Sequence, residues 1–209
     1  MNDLLQDSED TSELLQQVRD GKIPFDPLFA RHREALRASV MVRFDPALRA
    51  RVDPSDVVQE TQMEAFRRLP EYLRRPPMPF HLWLRKMARE RLIMLQRKHL
   101  GASCRAVGQE VPLPEQSSIV LAEQLLAGEQ SPSQQVCHAE ALEQVRRALN
   151  QLTDMDREML LMRSYEMLSY EAIARILDIE PAAARKRYGR ALLRLHRLLK
   201  ADGVTESRL

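Results

Sequence analysis

The sequence predicts an all-α protein built as two small helical bundles joined by a flexible linker. Three observations carry that prediction. Among 209 residues there are 6 Gly and 5% aromatics against 30% charged residues, a mixture that favours helices over sheets. Apolar residues recur at three-to-four spacing in long runs, with no strand-like alternation of useful length. A change of composition from Gly101 to about Gln135, marked by Gly108, Pro112, Pro114, Gly128 and Pro132, splits those runs into two groups. The resulting plan is an acidic N-terminal tail over 1–21, a helical domain over 22–100, a linker over 101–135, a second helical domain over 136–200 and a short tail over 201–209.

The tail carries Asp3, Asp7, Glu9, Asp10 and Glu13 before its first base, Arg19, and has room for one short helix. The first long periodic run covers Pro27 to about Val42, with Leu28, Phe29, His32, Leu36 and Val40 on one face. Pro46, Asp53 and Pro54 punctuate a turn. A helix follows from Ser55 to Leu69, its inward face formed by Val58, Thr61, Ala65, Phe66 and Leu69. Asp56, Gln59 and Glu60, at i, i+3 and i+4, share its other face. Pro70, Pro76, Pro77 and Pro79 then break the chain. The next helix spans roughly His81 to His99 and ends at Gly101, with Arg97, Lys98 and His99 in its last turn, as the helix dipole favours. Phe80 and Trp83 stand just before its basic row of Arg85, Lys86, Arg89, Arg91, Arg97 and Lys98. Leu82, Trp83, Met87 and Leu95 also read as ordinary core.

Within the linker, Ile119 to Leu126 has the pattern of a short helix. The second domain holds helices over about Gln134–Leu149, Asp154–Arg163, Ser169–Leu177 and Pro181–Lys200. Ser169 is a good N-cap and Glu171 suits the first turn. Ala172, Ile173, Ile176 and Leu177 mark the buried face. Asp178 sits in the turn, where Asp tolerates a left-handed backbone, and Pro181 suits the first position of the next helix. That last helix has an apolar stripe of Ala184, Tyr188, Ala191, Leu192, Leu195 and Leu199. Its charge comes from Arg185, Lys186, Arg187, Arg190, Arg194, Arg197 and Lys200. Two helices around a tight turn, the second strongly basic, form the arrangement that lays a helix into the DNA major groove.

The net charge is only +2, so the distribution matters more than the sum. No Lys or Arg occurs between Ala106 and Val145, and the positive charge gathers around Arg85–Arg105 and Arg185–Lys200. Cys104 and Cys137 are far apart with no CxxC partner, so neither a metal site nor a disulfide framework is expected. No apolar run approaches membrane-spanning length and no basic-then-apolar leader opens the sequence, so the expectation is a cytoplasmic protein without membrane insertion. The five His residues are scattered, and no nucleotide-binding Gly loop or nucleophile–base constellation is present. The expectation is therefore a non-enzyme with no cofactor and no metal.

Two groups of residues carry a resemblance to a known family. Asp56-Val-Val-Gln59-Glu60-Thr61, then an aromatic, then Trp83-Leu84 with a basic helix, resembles region two of a bacterial RNA polymerase sigma factor. Leu152-Thr153 through Arg157-Glu158, then Leu168 to Ala174, then Ala184-Arg185-Lys186-Arg187, resembles region four, which contains a helix-turn-helix. With these two regions and a short linker, the chain is similar to the extracytoplasmic-function group of the sigma-70 family, from about Pro27 to Leu199. The segment from His99 to Ala102, Val111 to Pro114 and Ser117-Ser118 is similar to linkers of sigma factors from planctomycete-type bacteria.

The resemblance implies roles. Asp56, Gln59 and Glu60 match the motif that binds core RNA polymerase at its β′ clamp helices, and the β flap is a second implied contact. Phe80, Trp83, Arg85, Lys86, Arg89, Arg97 and Lys98, with the loop before them, match the part that captures the melted −10 promoter element. Ser169, Arg185, Lys186, Arg187 and Arg190 match the helix-turn-helix residues that meet the −35 element. The linker would pass near the RNA exit path. An anti-sigma factor is a partner common to the group. The implied function is promoter-specific initiation of transcription. The residues alone leave a conventional helix-turn-helix regulator open, with the first bundle sensing or dimerising. Three departures stand out: Glu90 where many relatives carry Asn, which would either prevent base capture there or change the base preferred, Asp178 where the turn usually has Gly, and three prolines in the loop Arg74–Pro79.

Overall fold

A computed structural model describes residues 7–48, 51–99, 113–126 and 135–201, all helix or connecting turns. The expected helix end at Gly101, most of the predicted linker, the C-terminal tail and the side chains of Cys137 and His138 lie outside the described residues. The elements are α1 (Glu9–Arg19), α2 (Phe25–Arg43), α3 (Pro54–Arg74), α4 (Phe80–His99), α5 (Glu115–Leu125), α6 (Gln135–Asn150), α7 (Asp154–Leu160), α8 (Tyr170–Leu177) and α9 (Pro181–Ala201). A 3₁₀ turn covers Pro46–Leu48, and a π-helical turn covers Leu161–Tyr165.

The first core is formed by α2, α3 and α4 around Phe25, Phe29, Leu36, Val57, Phe80, Trp83, Leu84 and Leu92. Helix α1 packs on it through Leu14, Leu15 and Val18. The acidic tail is therefore docked from Asp7 onward. Asp7 accepts the Phe80 backbone N–H on both carboxylate oxygens at 2.8 and 2.9 Å, which caps α4. His81 Nδ1 lies 3.3 Å from the same carboxylate.

Helix α3 starts in a capping box: Asp53 Oδ1 accepts the Ser55 N–H at 2.7 Å, and Asp56 Oδ2 accepts the Asp53 N–H at 3.0 Å. Its inward face differs from the expectation at one position. Val57 is fully buried, while Phe66 is 62% exposed. Pro70 does not end the helix, which continues to Arg74. Pro70 has no N–H to give the Phe66 carbonyl, but both residues face solvent, where water can take that role.

The second core joins α5, α6, α7 and α9 through Leu121, Val145, Leu149, Leu160, Ala191, Leu195 and Leu199. Leu113, Leu121 and Ala122, all within the predicted linker, are buried in it. Arg157 fastens that segment by donating to the Leu113 carbonyl at 2.9 Å and to Ser118 Oγ at 3.3 Å. Leu192 falls outside the buried stripe of α9 and is 36% exposed. One residue beyond Ala191, it is turned about 100° away from that stripe.

The two domains pack closely. Val42 of α2 and Ile93 of α4 are buried in the second core, and Leu82 of α4 is fully buried among Met159, Met162, Ile173 and Ile176. Helix α4 thus has two buried faces. Trp83, Leu84, Met87 and Leu92 face the first core, and Leu82, Arg89 and Ile93 face the C-terminal domain.

Candidate nucleic-acid interface

The helix-turn-helix is built from caps and a single left-handed residue. Ser169 Oγ accepts the Ala172 N–H at 3.1 Å, so this hydroxyl serves the start of α8. Ala172, Ile173, Ile176 and Leu177 are buried with Ala184 of α9. Asp178 then adopts φ 53°, ψ 47°, and its N–H donates to the Ala174 carbonyl, which turns the chain toward Pro181.

Arg185, Lys186 and Arg190 are exposed on α9, and Arg187 is half-buried. The Arg185 guanidinium lies 5.2 Å from the centroid of the Tyr170 ring, and Arg163 lies 5.0 Å from it. Tyr170 in turn meets Tyr188 edge-on at 6.0 Å. Stacking on Tyr170 orients the guanidinium of the exposed Arg185, and an oriented planar guanidinium suits bidentate binding to guanine. The sequence reading missed Tyr170 and Arg163, which precede the basic helix and meet it only through the turn. Arg194 is held away from this surface by Asp156.

On α3, Asp56 and Gln59 are exposed and Glu60 is half-exposed. Asp56 is committed to its capping box, and Glu60 pairs with Arg91 of α4. Beside them an open groove of about 420 Å³ runs between α3 and α4, lined by Glu60, Met63, Glu90, Arg91 and Met94. Glu90 is therefore on the α3 side of α4, away from the C-terminal domain.

The residues expected to take the −10 strand are divided. Phe80 is fully buried and Trp83 is 8% exposed. Trp83 packs on Tyr72 with centroids 4.5 Å apart. Both rings belong to the first core, and Phe80 has no free face on which a base could stack. The basic row is not one solvated stripe either. Arg89 is buried 3.7 Å from Glu158, and Lys86 Nζ donates to both Asp178 oxygens at 2.7 and 2.6 Å. Arg85 is mostly buried, and desolvation lowers its pKa. Arg97 and Lys98 are exposed at the end of the helix. The loop before α4 is held by the Tyr72 hydroxyl, which donates to the Met78 carbonyl at 3.0 Å.

Arg43, at the end of α2, closes the seam between the domains. Its Nε donates to both oxygens of Glu158 at 3.0 and 3.1 Å. Its two terminal nitrogens reach the two oxygens of Glu166 at 3.0 Å each. Burial disfavours the Arg43 cation, but the two carboxylates outweigh it and hold its pKa above the ordinary value. Burial likewise opposes the Glu166 anion, and Arg43 outweighs it, so that carboxyl is held below the usual range. The π-helical turn sets Glu166 facing Arg43. In the Arg157-Glu158 pair of the sequence motif, Arg157 anchors the linker and Glu158 anchors Arg43.

Residues 142–195 match the family described as sigma-70, region 4. RNA polymerase sigma-H factor of Pseudomonas aeruginosa is 27% identical over 184 residues, 88% of this chain and 90% of that protein. RNA polymerase sigma factor CnrH of Cupriavidus metallidurans is 29% identical over 197 residues, 93% of this chain and 97% of that protein. Among solved structures, the fold is similar to the sigma factor RpoE bound to the anti-sigma factor NepR from Bartonella quintana. That likeness has a TM-score of 0.53 and 21% identity, over 85% of this chain and 98% of that one. CnrH bound to the cytosolic domain of CnrY gives a TM-score of 0.52 and 22% identity, over 92% and 96%. The all-helical plan, the match of the helix-turn-helix to sigma-70 region 4 and relatives that align along nearly the full length agree: residues 142–195 carry a sigma-70 region 4, and the chain as a whole is similar to RNA polymerase sigma factors.

Proposed function

We propose that this sigma factor directs promoter-specific initiation by docking on core RNA polymerase through Gln59 and Glu60 of α3, beside Asp56, and by reading the −35 element with Arg185, Lys186, Arg187 and Arg190. The observation that carries the reading is the exposed guanidinium of Arg185, braced on Tyr170 at the mouth of a helix-turn-helix. A bidentate Arg–guanine contact discriminates against a wrong base by about 1–3 kcal/mol. Such a contact is weak alone. Joining it to polymerase docked on the first domain raises its effective concentration. The β′ clamp helices are the proposed partner of the α3 face and the β flap that of the C-terminal domain.

Helix α4 and the loop before it are the proposed −10 reader, with Arg97 and Lys98 open and Arg85, Lys86 and Arg89 available once the C-terminal domain moves off. Phe80 and Trp83 support the helix from beneath. The protein performs no covalent chemistry in this reading and works in the cytoplasm, where polymerase is. No helix among the described residues is long and apolar enough to cross a membrane. An anti-sigma factor is a further proposed partner, by analogy with the complexes of RpoE and CnrH. A conventional regulator is not favoured, because sigma relatives match along most of the chain and not only in the helix-turn-helix.

Reconstituted transcription with core polymerase tests the proposal. Arg185→Ala with Arg190→Ala is expected to cut initiation from promoters with an intact upstream element and spare those with a scrambled one. Gln59→Ala with Glu60→Ala is expected to weaken core binding. Undiminished activity of the Arg variant on the intact template, together with wild-type core binding by the α3 variant, would overturn the reading.

A further inference from the structure

Helix α4 begins without a cap of its own. Pro79 holds the N-cap position, where its carbonyl accepts the Leu82 and Trp83 N–H groups at 3.1 and 3.0 Å. Its ring offers no side-chain acceptor for the free amides of the first turn. The acceptor comes from 73 positions away: Asp7, ahead of α1, takes the Phe80 N–H on both carboxylate oxygens at 2.8 and 2.9 Å. The Asp7 side chain is only 11% exposed. Burial opposes its anion, but the His81 ring and the Phe80 N–H outweigh that and hold the carboxyl below the usual range. A negative charge at this end of α4 also suits the helix dipole.

The same segment reaches the other end of the loop that precedes α4. Arg19, in the last turn of α1, donates to the Leu73 carbonyl at 3.0 Å, just ahead of the loop over 75–79. A third contact reaches the Phe80 ring. Thr11 is buried with its hydroxyl 3.3 Å from His32 Nε2, and His32 meets the Phe80 ring edge-on with centroids 5.4 Å apart. One short helix thus grips both ends of a loop that holds Pro76, Pro77 and Pro79. Between the grips lies an open cleft of about 550 Å³, lined by Ser12 and Leu15 on one side and Pro76, Pro77 and Met78 on the other.

We propose that Asp7 is a positioning residue for promoter opening: through the Phe80 backbone it sets the loop over 75–79 and the first turn of α4 in the pose that receives the −10 strand, with Arg19 holding the far end of that loop. This role rests on the reading of α4 and its loop as the −10 reader. The grip itself rests on the contacts alone. Asp7 touches no DNA in this role and acts only through the residues it holds. Without its carboxylate the Phe80 ring stays packed on Phe25, Tyr72 and Trp83, so the first core survives. The first-turn amides lose their partner, and the loop is freed at one end. A loosened loop loses base discrimination before it loses charge-driven binding. Arg97 and Lys98 remain exposed at the far end of α4, and phosphate contacts carry no sequence information.

The test uses the full-length protein with core polymerase, on a promoter that it opens and on copies changed at single −10 positions. Permanganate reactivity of unpaired thymines reads strand opening, and fluorescence anisotropy reads core binding. Asp7→Ala is expected to lower opening of the preferred promoter by about fivefold, the scale of one lost N-cap. The ratio between preferred and changed promoters should narrow by a similar factor, with core affinity unchanged. Asp7→Asn keeps an acceptor oxygen for the Phe80 N–H and is expected to recover most of the ratio, since Asn caps about as well as Asp. Arg19→Ala is expected to act in the same direction but less, because its bond is exposed. Amide hydrogen exchange at Phe80 should quicken in Asp7→Ala and not in Asp7→Asn. A wild-type ratio in Asp7→Ala would overturn the positioning role, whether opening is unchanged or falls together with core binding as in a plain loss of stability. Arg97→Ala with Lys98→Ala distinguishes that failure from failure of the reading beneath it. If this pair weakens opening while Asp7→Ala leaves the ratio intact, the positioning role alone falls. If neither variant alters opening, the reading of α4 falls with it.

Discussion

Replacing Arg43 by Met removes the charge at the centre of the seam and keeps most of the apolar stem. In the native protein Arg43 is 2% exposed and Glu158 1%. Its guanidinium makes four hydrogen bonds to carboxylate oxygens and two to Ser39, through the carbonyl and Oγ, at 2.9 Å each. Arg43→Met leaves two buried carboxylates facing each other with no cation between them. Breaking a buried ion pair from one side costs about 3–5 kcal/mol. Arg43→Met/Glu158→Met/Glu166→Met removes the triad as a unit, a replacement that ranges from neutral to stabilising by about 1–4 kcal/mol, offset in part because buried Arg89, 3.7 Å from Glu158, loses that carboxylate. The assay is urea unfolding followed by far-UV circular dichroism and by the fluorescence of Trp83, the single Trp of the chain. With a slope of about 2 kcal/mol/M, the single variant should lower the midpoint by about 1.5–2.5 M for the structure that depends on the seam. Trp83 lies in the first core, so its transition should move less than the dichroism. A midpoint shift below about 0.5 M in the single variant, or a triple variant as unstable as the single, would refute the claim that this network holds the domains together.

Other consequences are smaller or more local. Leu82→Ala removes a fully buried side chain that α4 contributes to the C-terminal cluster; it should cost about 2–5 kcal/mol in thermal or urea unfolding and leave the Tyr72–Trp83 packing intact. Asp53→Ala deletes one half of the α3 capping box and should cost about 1 kcal/mol, a fall in Tm of roughly 2–4 °C. Asp56→Ala should cost a similar amount for the same reason, so a loss of polymerase binding in that variant has to be compared with Gln59→Ala and Glu60→Ala. Burial pushes the pKa of His32 down from 6.5 to about 4. A depressed basic group contributes stability that is complete above pH 6.5 and is lost as pH falls toward 4. That loss is at most roughly 2–3 kcal/mol after allowance for partial solvent contact, and His32→Gln, which can still bond the Thr11 hydroxyl, should flatten it in urea titrations at pH 4.5–7.

Local features were readable from the sequence because their causes are local. The cap of α8, the left-handed turn residue Asp178 and the Pro at the start of α9 are set by neighbours within a few residues. The periodic runs gave the helices to within a few residues for the same reason. Faces were harder. Val57 and Phe66 exchange places relative to the expected inward face of α3, because an apolar stripe marks a broad arc and not which of its edges is covered. The second buried face of α4 was invisible as such. Arg85, Lys86 and Arg89 read as one basic nucleic-acid-binding row, since the sequence around them shows no buried partner for any of them. Their partners lie far away: Arg43 meets Glu158 and Glu166 across 115 and 123 positions, and Lys86 meets Asp178 across 92. Pairings of that range leave no periodic trace, and the π-helical turn that aims Glu166 has none either.

The composition of the seam bears on what it can do. A contact that must never open is best made of apolar groups, since burying paired charges gains little over burying hydrocarbon of the same volume. Here the domains meet through a few apolar anchors, Val42, Leu82 and Ile93, around a charged centre. The charged centre penalises partial opening heavily, because one ion withdrawn leaves another buried and alone. Full opening is penalised less, because every group then regains water or a new partner. Such an interface resists small fluctuations and yields to a competitor that separates the domains as a whole. Polymerase, in the proposed function docked to the two domains at separate sites, would be a competitor of that kind, and a DNA strand that touches Lys86 alone would not. On the proposed function, the arrangement would link exposure of the α4 face to polymerase docking more tightly than to DNA concentration, which is the behaviour a promoter reader needs among a large excess of unrelated DNA.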